Sequence, residues 1–148
     1  MSVALTNTVQ GFFEAVDTRD WEAAEALMTD PFYLDYSSFG AGPGAELSPV
    51  DILMGWKSIL PGFDFTHHQL GPLIIEEDGS EATVRAYVTA DHQIADVPEG
   101  EVWTVCGSYV LDLKKIGSDW KLSGNTFLFK FQSGNTNLPA LAQSRTAS

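Results

Sequence analysis

The first third of the chain carries apolar residues at the three- and four-residue spacing of a helix with one buried face. The segment 17–20 (DTRD) interrupts this stripe, and Asp20 is well placed to cap a second helix. Pro31 then disfavours helical geometry in the residue before it, so the second helix should end there. The first helix presents Val3, Val9, Phe12, Phe13 and Val16, and the second presents Trp21, Ala24, Leu27 and Met28.

A short strand, a loop and a third helix are predicted next. Residues 32–37 are rich in aromatic side chains, which is typical of a strand. Residues 40–44 contain three glycines and one proline, and we expect a loop at the mouth of a pocket. Ser48 followed by Pro49 is typical of a helix start. That helix would bury Ile52, Leu53, Trp56, Ile59 and Leu60 and stop at Pro61-Gly62.

From residue 63 onward the pattern changes to long strands separated by tight turns. Residues 78–79 and 117–119 have the composition of hairpin turns. Three helices followed by an antiparallel meander is an α+β arrangement, in which a strongly curved sheet wrapped against the helices would enclose a pocket. We predict one domain over residues 1–132 and a C-terminal tail over 133–148. Composition alone suggests that the tail is frayed, and if it packs it serves as a lid or an interface segment. The four predicted strands lie near residues 64–77, 81–94, 101–115 and 119–132.

Alternation along these strands places two of the three histidines inside the pocket. In the 81–94 run every second residue is apolar, and His92 continues that face. His67 and His68 are neighbours, so only one can face inward, and alignment with Thr66 favours His68. The alternatives are that His92 is a core histidine paired with a backbone carbonyl, and that the other two are ordinary surface residues.

Asp17 and two tyrosines are further candidates for chemistry. Asp17 follows the first apolar stripe near a helix C-terminus, where a carboxylate is unfavourable unless a cation such as histidinium compensates. The alternative is a turn aspartate with no catalytic task. Buried phenols need a hydrogen-bond partner, so Tyr36 and Tyr109 are candidates for holding a substrate oxygen. Gly107, on the Tyr109 face, is predicted to leave space in the cavity.

Composition and charge exclude several classes of protein. The 148 residues carry a formal net charge of −12 with eight Lys and Arg, so neither nucleic acid nor an anionic membrane is an expected partner. Cys106 is the one cysteine, which excludes an intramolecular disulfide, and no signal peptide is visible. Zinc-ligand spacings and glycine-rich phosphate loops are absent from the sequence. We therefore expect a cytoplasmic protein that takes a small molecule and uses neither metal nor cofactor.

The order of elements over residues 9–131 resembles the SnoaL-like and scytalone dehydratase-like branch of the nuclear transport factor 2-like superfamily. This resemblance implies a cone-shaped α+β barrel, with N-terminal helices packed on a strongly curved, mostly antiparallel sheet. It also implies self-association, as a homotrimer ahead of a dimer. The motifs that carry it are AVDTRDW at 15–21, DYSSF at 35–39, THHQLG at 66–71, ADHQ at 90–93 and GSDWKL at 117–122.

The resemblance also implies roles for individual residues. Asp17, His68 and His92 match the acid–base residues of scytalone dehydratase, and Tyr36 matches one of the two tyrosines that position a water in that enzyme. The chain departs from the pattern where Val16 replaces the second tyrosine. It departs again where Gly107 and Tyr109 replace a serine and an asparagine, so substrate recognition is expected to differ. The candidate substrate-binding residues are Val16, Phe39, Trp56, Gly107, Tyr109 and Phe127, and the aromatic ones among them are equally compatible with an ordinary core.

These observations favour a cofactor-free lyase that eliminates water from a small cyclic or polyketide-like hydroxy-carbonyl compound. One histidine would remove a proton beside the carbonyl and the other would protonate the leaving hydroxyl, since the histidine pKa lies near neutrality. The sequence leaves open which is which. An isomerase or an aldol cyclase with the same site is one alternative, and a small-molecule binding protein without catalysis is another.

Overall fold

The computed structural model describes residues 2–147. Two helices are followed by two strands and a third helix, and five more strands precede a C-terminal helix. Single 3-10 turns lie at Ser37–Phe39 and Leu60–Gly62. The elements are α1 (Ser2–Asp17), α2 (Trp21–Ala26), β1 (Met28–Asp35), β2 (Ala45–Leu47), α3 (Pro49–Lys57), β3 (Phe65–Leu70), β4 (Ile74–Asp78), β5 (Glu81–Gln93), β6 (Val102–Ile116), β7 (Asp119–Gly134) and α4 (Leu138–Ala147).

The strands form one curved, open sheet of seven strands. Their order is β2-β1-β7-β6-β5-β3, and β4 pairs with β5 alongside β3. Every pair is antiparallel except β1 with β7. The predicted α+β class and the predominantly antiparallel sheet are confirmed, while the parallel pairing of β1 was not predicted from the sequence.

Helix α1 fills the concave side of the sheet. Its side chains Leu5, Val9 and Phe12 are fully buried, as are Leu111 and Leu122 on the sheet. Burying a side chain of this size contributes about 1.5–3 kcal/mol, so the apolar stripe of α1 is a main source of stability. Among residues 2–147, no helix is both long and apolar enough to cross a membrane.

The start of β1 differs from the prediction, which assigned Leu27 and Met28 to the second helix. The backbone N–H of Leu122 donates to the Leu27 carbonyl, at 2.8 Å, and Met28 pairs with Leu122 in β7. These sheet contacts end α2 early. Pro31 lies inside β1 rather than before it, where the pairing with β7 is irregular and a missing N–H is tolerated.

The predicted strand over residues 64–77 is two strands. Gly71 and Pro72 interrupt it, although the Gly71 N–H still donates to the Tyr87 carbonyl of β5 at 2.8 Å. Both halves, β3 and β4, pair with β5. Proline has no N–H for the ladder, which is why the strand breaks there.

Most of the predicted C-terminal tail is the helix α4, and residues 133–134 extend β7, so the described part of the tail is not frayed. Leu138 and Ala142 are fully buried, and a Cβ on Gly62 would overlap the Ala142 carbonyl. Arg145 forms an ion pair with Asp64 at 3.2 Å. The tail therefore packs closely on the turn that leads from α3 into β3.

Candidate active site

One apolar cavity of about 240 Å³ lies between α1, α3 and the concave face of the sheet. Its ionisable side chains are Tyr36, His68, His92 and Tyr109, and α4 contributes Pro139. An apolar cavity of about 150 Å³ holds benzene, so this one has room for a ring with substituents.

His68 and Asp17 form a close pair at one side of this cavity. Nδ1 of His68 lies 2.7 Å from Oδ1 of Asp17, and the backbone N–H of His68 donates to Oδ2 at 2.8 Å. The Thr66 hydroxyl donates to Oδ1 at 3.0 Å. With Nδ1 turned to the carboxylate, Nε2 is the ring nitrogen of His68 that remains for a ligand.

The charge of Asp17 is stabilised by these contacts. Burial acts to raise the pKa of the Asp17 carboxyl, but the hydrogen bonds and charge of His68, with the Thr66 hydroxyl, hold that pKa below its usual value. Asp17 is thus a carboxylate at neutral pH. It fixes the tautomer and the orientation of His68 in the way that carboxylates do in catalytic triads.

Arg19 connects the two elements that carry this pair. Its guanidinium donates to the carbonyls of Asp17 at 3.1 Å, and of Leu60 and Phe63 at 2.8 Å each. The backbone of Arg19 has φ of 60°, a conformation that is uncommon for a residue other than glycine. The turn after α1 is thereby held against the segment that leads into β3.

His92 lies near His68 on the neighbouring strand β5, in a different environment. The two ring centroids are 6.3 Å apart with an interplanar angle of 76°, and His92 is only 6% exposed. Its Nδ1 lies 3.0 Å from the Trp103 carbonyl, so Nδ1 carries the proton and Nε2 is an acceptor. Burial lowers the pKa of His92 to about 4, which keeps its ring neutral at neutral pH.

Two phenols and an amide form a hydrogen-bonded group at the other side of the cavity. Asn125 is 1% exposed, and its Nδ2 donates to the Tyr36 oxygen at 3.3 Å. The Tyr36 and Tyr109 hydroxyls hydrogen-bond with each other. Burial raises the pKa of both phenols, which are therefore neutral donors.

Most of the residues singled out in the sequence lie around this one cavity. His68 and His92 face inward, whereas His67 is exposed. Asp17 stands behind His68 rather than in the wall itself. Among residues 2–147, no three His, Cys, Asp or Glu side chains are grouped so as to hold a metal ion. The predicted substrate-binding residues found in the wall are Val16, Phe39, Trp56, Tyr109 and Phe127.

Gly107 is the exception, and the prediction that it opens space in the cavity is wrong. A Cβ at Gly107 would lie 2.7 Å from the ring of Phe127 and still closer to the Leu128 carbonyl. The space beside Gly107 is thus filled by the neighbouring strand, and Gly107 does not reach the cavity wall.

Asn125 is the residue of this site that sequence reasoning missed. Simple alternation from the buried Leu122 would turn Asn125 outward. One extra residue in β7, between Leu122 and Gly124, shifts the register against β6 and reverses the alternation. The bulge therefore carries the Asn125 amide to the Tyr36 hydroxyl.

The molecule is a small α+β domain. Its curved sheet surrounds an apolar pocket, and a His–Asp pair lies at one side of that pocket. The family model described as a SnoaL-like domain matches residues 2–125. The chain belongs to this family, as the resemblance predicted. A search of curated proteins finds no match.

Solved structures support the fold. The protein Kfla4162 from Kribbella flavida is 19% identical, with 99% of this chain and 97% of that chain covered and a TM-score of 0.82. A candidate scytalone dehydratase from Novosphingobium aromaticivorans is 19% identical over 90% and 87% of the two chains, with a TM-score of 0.75. A hexachlorocyclohexane dehydrochlorinase, LinA type 2, is 13% identical over 91% of each chain, with a TM-score of 0.72. At these identities the likeness shows the cone-shaped nuclear transport factor 2-like fold, and two of these relatives are named for elimination reactions.

Proposed function

We propose that the protein is a cofactor-free lyase that eliminates water from a small cyclic or polyketide-like hydroxy-carbonyl compound. One observation carries the proposal: His68 and His92 each have Nδ1 committed to a protein oxygen, so both Nε2 atoms are left for one apolar cavity. The wall is mostly apolar, so a substrate that fills the cavity displaces water and strengthens each polar contact inside it.

His68 is the base in this proposal. Its Nε2 takes the proton from the carbon next to the substrate carbonyl, and the electrons of the C–H bond form an enolate. The adjacent Asp17 carboxylate stabilises the imidazolium that results. When the enolate collapses to a carbon–carbon double bond, the hydroxyl on the next carbon takes the proton from His68 and leaves as water.

His92 orients the leaving group instead of protonating it. A ring with a pKa of about 4 carries no proton on Nε2 at neutral pH, so it accepts a hydrogen bond from the substrate hydroxyl. That hydroxyl is then free to receive the proton of His68 on its own lone pair. The two ring centroids are 6.3 Å apart, which is close enough for one small substrate group to contact both rings.

Tyr36 binds the substrate carbonyl and the enolate that forms from it. A phenol oxygen has two lone pairs and one proton. Asn125 donates to one lone pair. The contact between the two phenols acts to lower the pKa of Tyr36 and to raise the pKa of Tyr109, which is the pattern for Tyr109 donating to the second lone pair. The Tyr36 proton is therefore left for the ligand. A neutral donor fixed before the reaction stabilises negative charge as it develops.

An isomerase or aldol cyclase would share the first proton transfer. The neutral His92, whose Nε2 is an acceptor, favours dehydration, because it provides a place for a leaving hydroxyl that an isomerase does not need. Running the reaction in D₂O separates these outcomes: an isomerase returns label to a ring carbon without forming an enone or releasing water.

A panel of cyclic β-hydroxy ketones, followed by enone absorbance, tests the proposal. We expect turnover of at least one member, and Tyr36→Phe should lower that turnover by about 10²-fold, the usual effect of removing an oxyanion donor. Val97→Ala, a substitution away from the cavity, is the control. Tight binding of panel members with no turnover would instead identify a small-molecule binding protein.

We further propose that the protein is a cytoplasmic homotrimer with α4 as a lid. The outer face of the sheet exposes Tyr87, Val102 and Phe131 at 71%, 42% and 57%, and an exposed apolar surface of this kind favours self-association. Pro139 of α4 contributes to the cavity wall, which supports a lid over an interface role for the tail.

A further inference from the structure

A second apolar cavity lies beyond the Tyr36 side of the active-site cavity. It measures about 250 Å³ and shares Tyr36, Phe39 and Trp56 with the first cavity. We refer to it as the outer groove. Its remaining wall comes from β1, β2 and the loop between them, through Leu34, Ala41, Pro43, Ala45 and Leu47.

Alternation on β2 makes the wall of the outer groove apolar. Ala45 and Leu47 point into the groove, while Glu46 between them lines a polar recess on the opposite side of the strand. The residues of the groove wall carry two polar side-chain groups, the Tyr36 hydroxyl and the Trp56 indole N–H. A groove lined by aliphatic and aromatic side chains and without a carboxylate suits a hydrocarbon group.

We propose that the outer groove binds an alkyl tail of the substrate whose oxygen-bearing ring occupies the active-site cavity. The inference rests on the proposed function only in taking that cavity as the substrate site. A cavity of about 240 Å³ is largely filled by a substituted ring, so a longer tail has to extend elsewhere. The outer groove begins at Tyr36, Phe39 and Trp56, which also form part of the wall of the active-site cavity.

A series of 4-alkylphenols tests this inference by isothermal titration calorimetry. Each buried methylene improves affinity by roughly fourfold. A propyl tail is short enough to remain within the active-site cavity. We expect 4-heptylphenol to bind at least about tenfold tighter than 4-propylphenol, with phenol the weakest. Equal affinities of the propyl and heptyl compounds, or no binding of either, would overturn the inference.

Two substitutions on one strand locate the tail. Ala45→Trp fills the outer groove and should reduce the advantage of the heptyl tail to about twofold or less, with 4-propylphenol unaffected. Glu46→Trp is the matched control, because it places the same side chain on the other face of β2 and should keep the full advantage. Ala41→Trp, on the loop side of the groove, should repeat the effect of Ala45→Trp without altering a strand.

The test of the alkyl-tail site can fail or succeed independently of the test of the lyase function. His68→Gln removes the proposed base, and the advantage of the heptyl tail should persist in this variant. If the wild-type protein shows the advantage but turns over no hydroxy ketone, the tail site stands and the lyase proposal fails. If the advantage survives both Ala45→Trp and Ala41→Trp, or disappears equally in Glu46→Trp, the tail does not lie in the outer groove.

Discussion

Acidification should destabilise this protein through His92. Burial lowers the pKa of His92 in the folded protein to about 4, whereas its usual value is 6.5. Between these two values the unfolded chain binds a proton that the folded chain does not. The free energy of unfolding therefore falls as the pH drops from about 6.5 towards 4, and the contribution of His92 is fully present above that window.

The size of the effect follows from the two pKa values. Together they imply a total of roughly 3 kcal/mol, of which about 2 kcal/mol is lost between pH 7 and pH 5. The low pKa of Asp17 acts in the same direction, but its window lies lower, because that carboxyl titrates below its usual value of 3.8. The Asp17 carboxyl therefore contributes little to the pH dependence at pH 5 and above.

The pH dependence of the unfolding free energy can be measured by urea unfolding of the wild-type protein and of His92→Asn at pH 5, 6 and 7. The asparagine amide keeps a donor for the Trp103 carbonyl but cannot titrate. Relative to the wild-type protein, the variant should gain about 2 kcal/mol of unfolding free energy on going from pH 7 to pH 5. Parallel pH dependences of the two proteins would refute a buried, neutral His92.

Three further predictions concern the phenols, the tail and the assembly. Asn125→Leu should lower turnover about as much as Tyr36→Phe, and the double variant should lose little more, because the amide acts through the phenol; full activity of Asn125→Leu would contradict this role. Truncation after Gln132 should weaken phenol binding if α4 is a lid, whereas unchanged affinity with weakened assembly would make the tail an interface segment. Light scattering should give the mass of a trimer that Phe131→Arg dissociates, and a wild-type monomer would exclude that assembly.

Strand alternation predicts the inward-facing histidines because β5 is regular. It pairs with β6 without interruption, from Glu81 with Lys114 to Gln93 with Val102. The apolar face of β5 therefore extends to His92. In β3 the same rule turns His68 inward, because the break at Gly71 comes after it.

The same rule fails on β7, where two register shifts reverse the alternation. The first brings Asn125 inside, and the second, between the partners of Cys106 and Gly107, turns Phe131 outward to 57% exposure. Phe131 is thus a surface residue although it continues an aromatic series. A shift of one residue exchanges the two faces of a strand, and the side chains around it carry no pattern that marks the position.

Contacts between distant segments were the least predictable part of the site. A carboxylate at the end of α1 needs a compensating partner, which indicates a cation near Asp17 but does not identify it. The three carbonyls that Arg19 binds depend on how the segment after α3 approaches α1. Such contacts depend on the path of the whole chain in three dimensions, and the spacing of residues in the sequence does not reveal that path.

The comparison of His68→Gln with His67→Gln tests the central claim most directly. The two residues are neighbours in β3, and His67 is exposed while His68 faces the cavity beside Asp17. On a hydroxy ketone that the wild-type protein dehydrates, His68→Gln should lower turnover by about 10²-fold or more, the usual contribution of a positioned proton-transfer group. His67→Gln should leave turnover unchanged. Equal turnover by the two variants would contradict a base at His68.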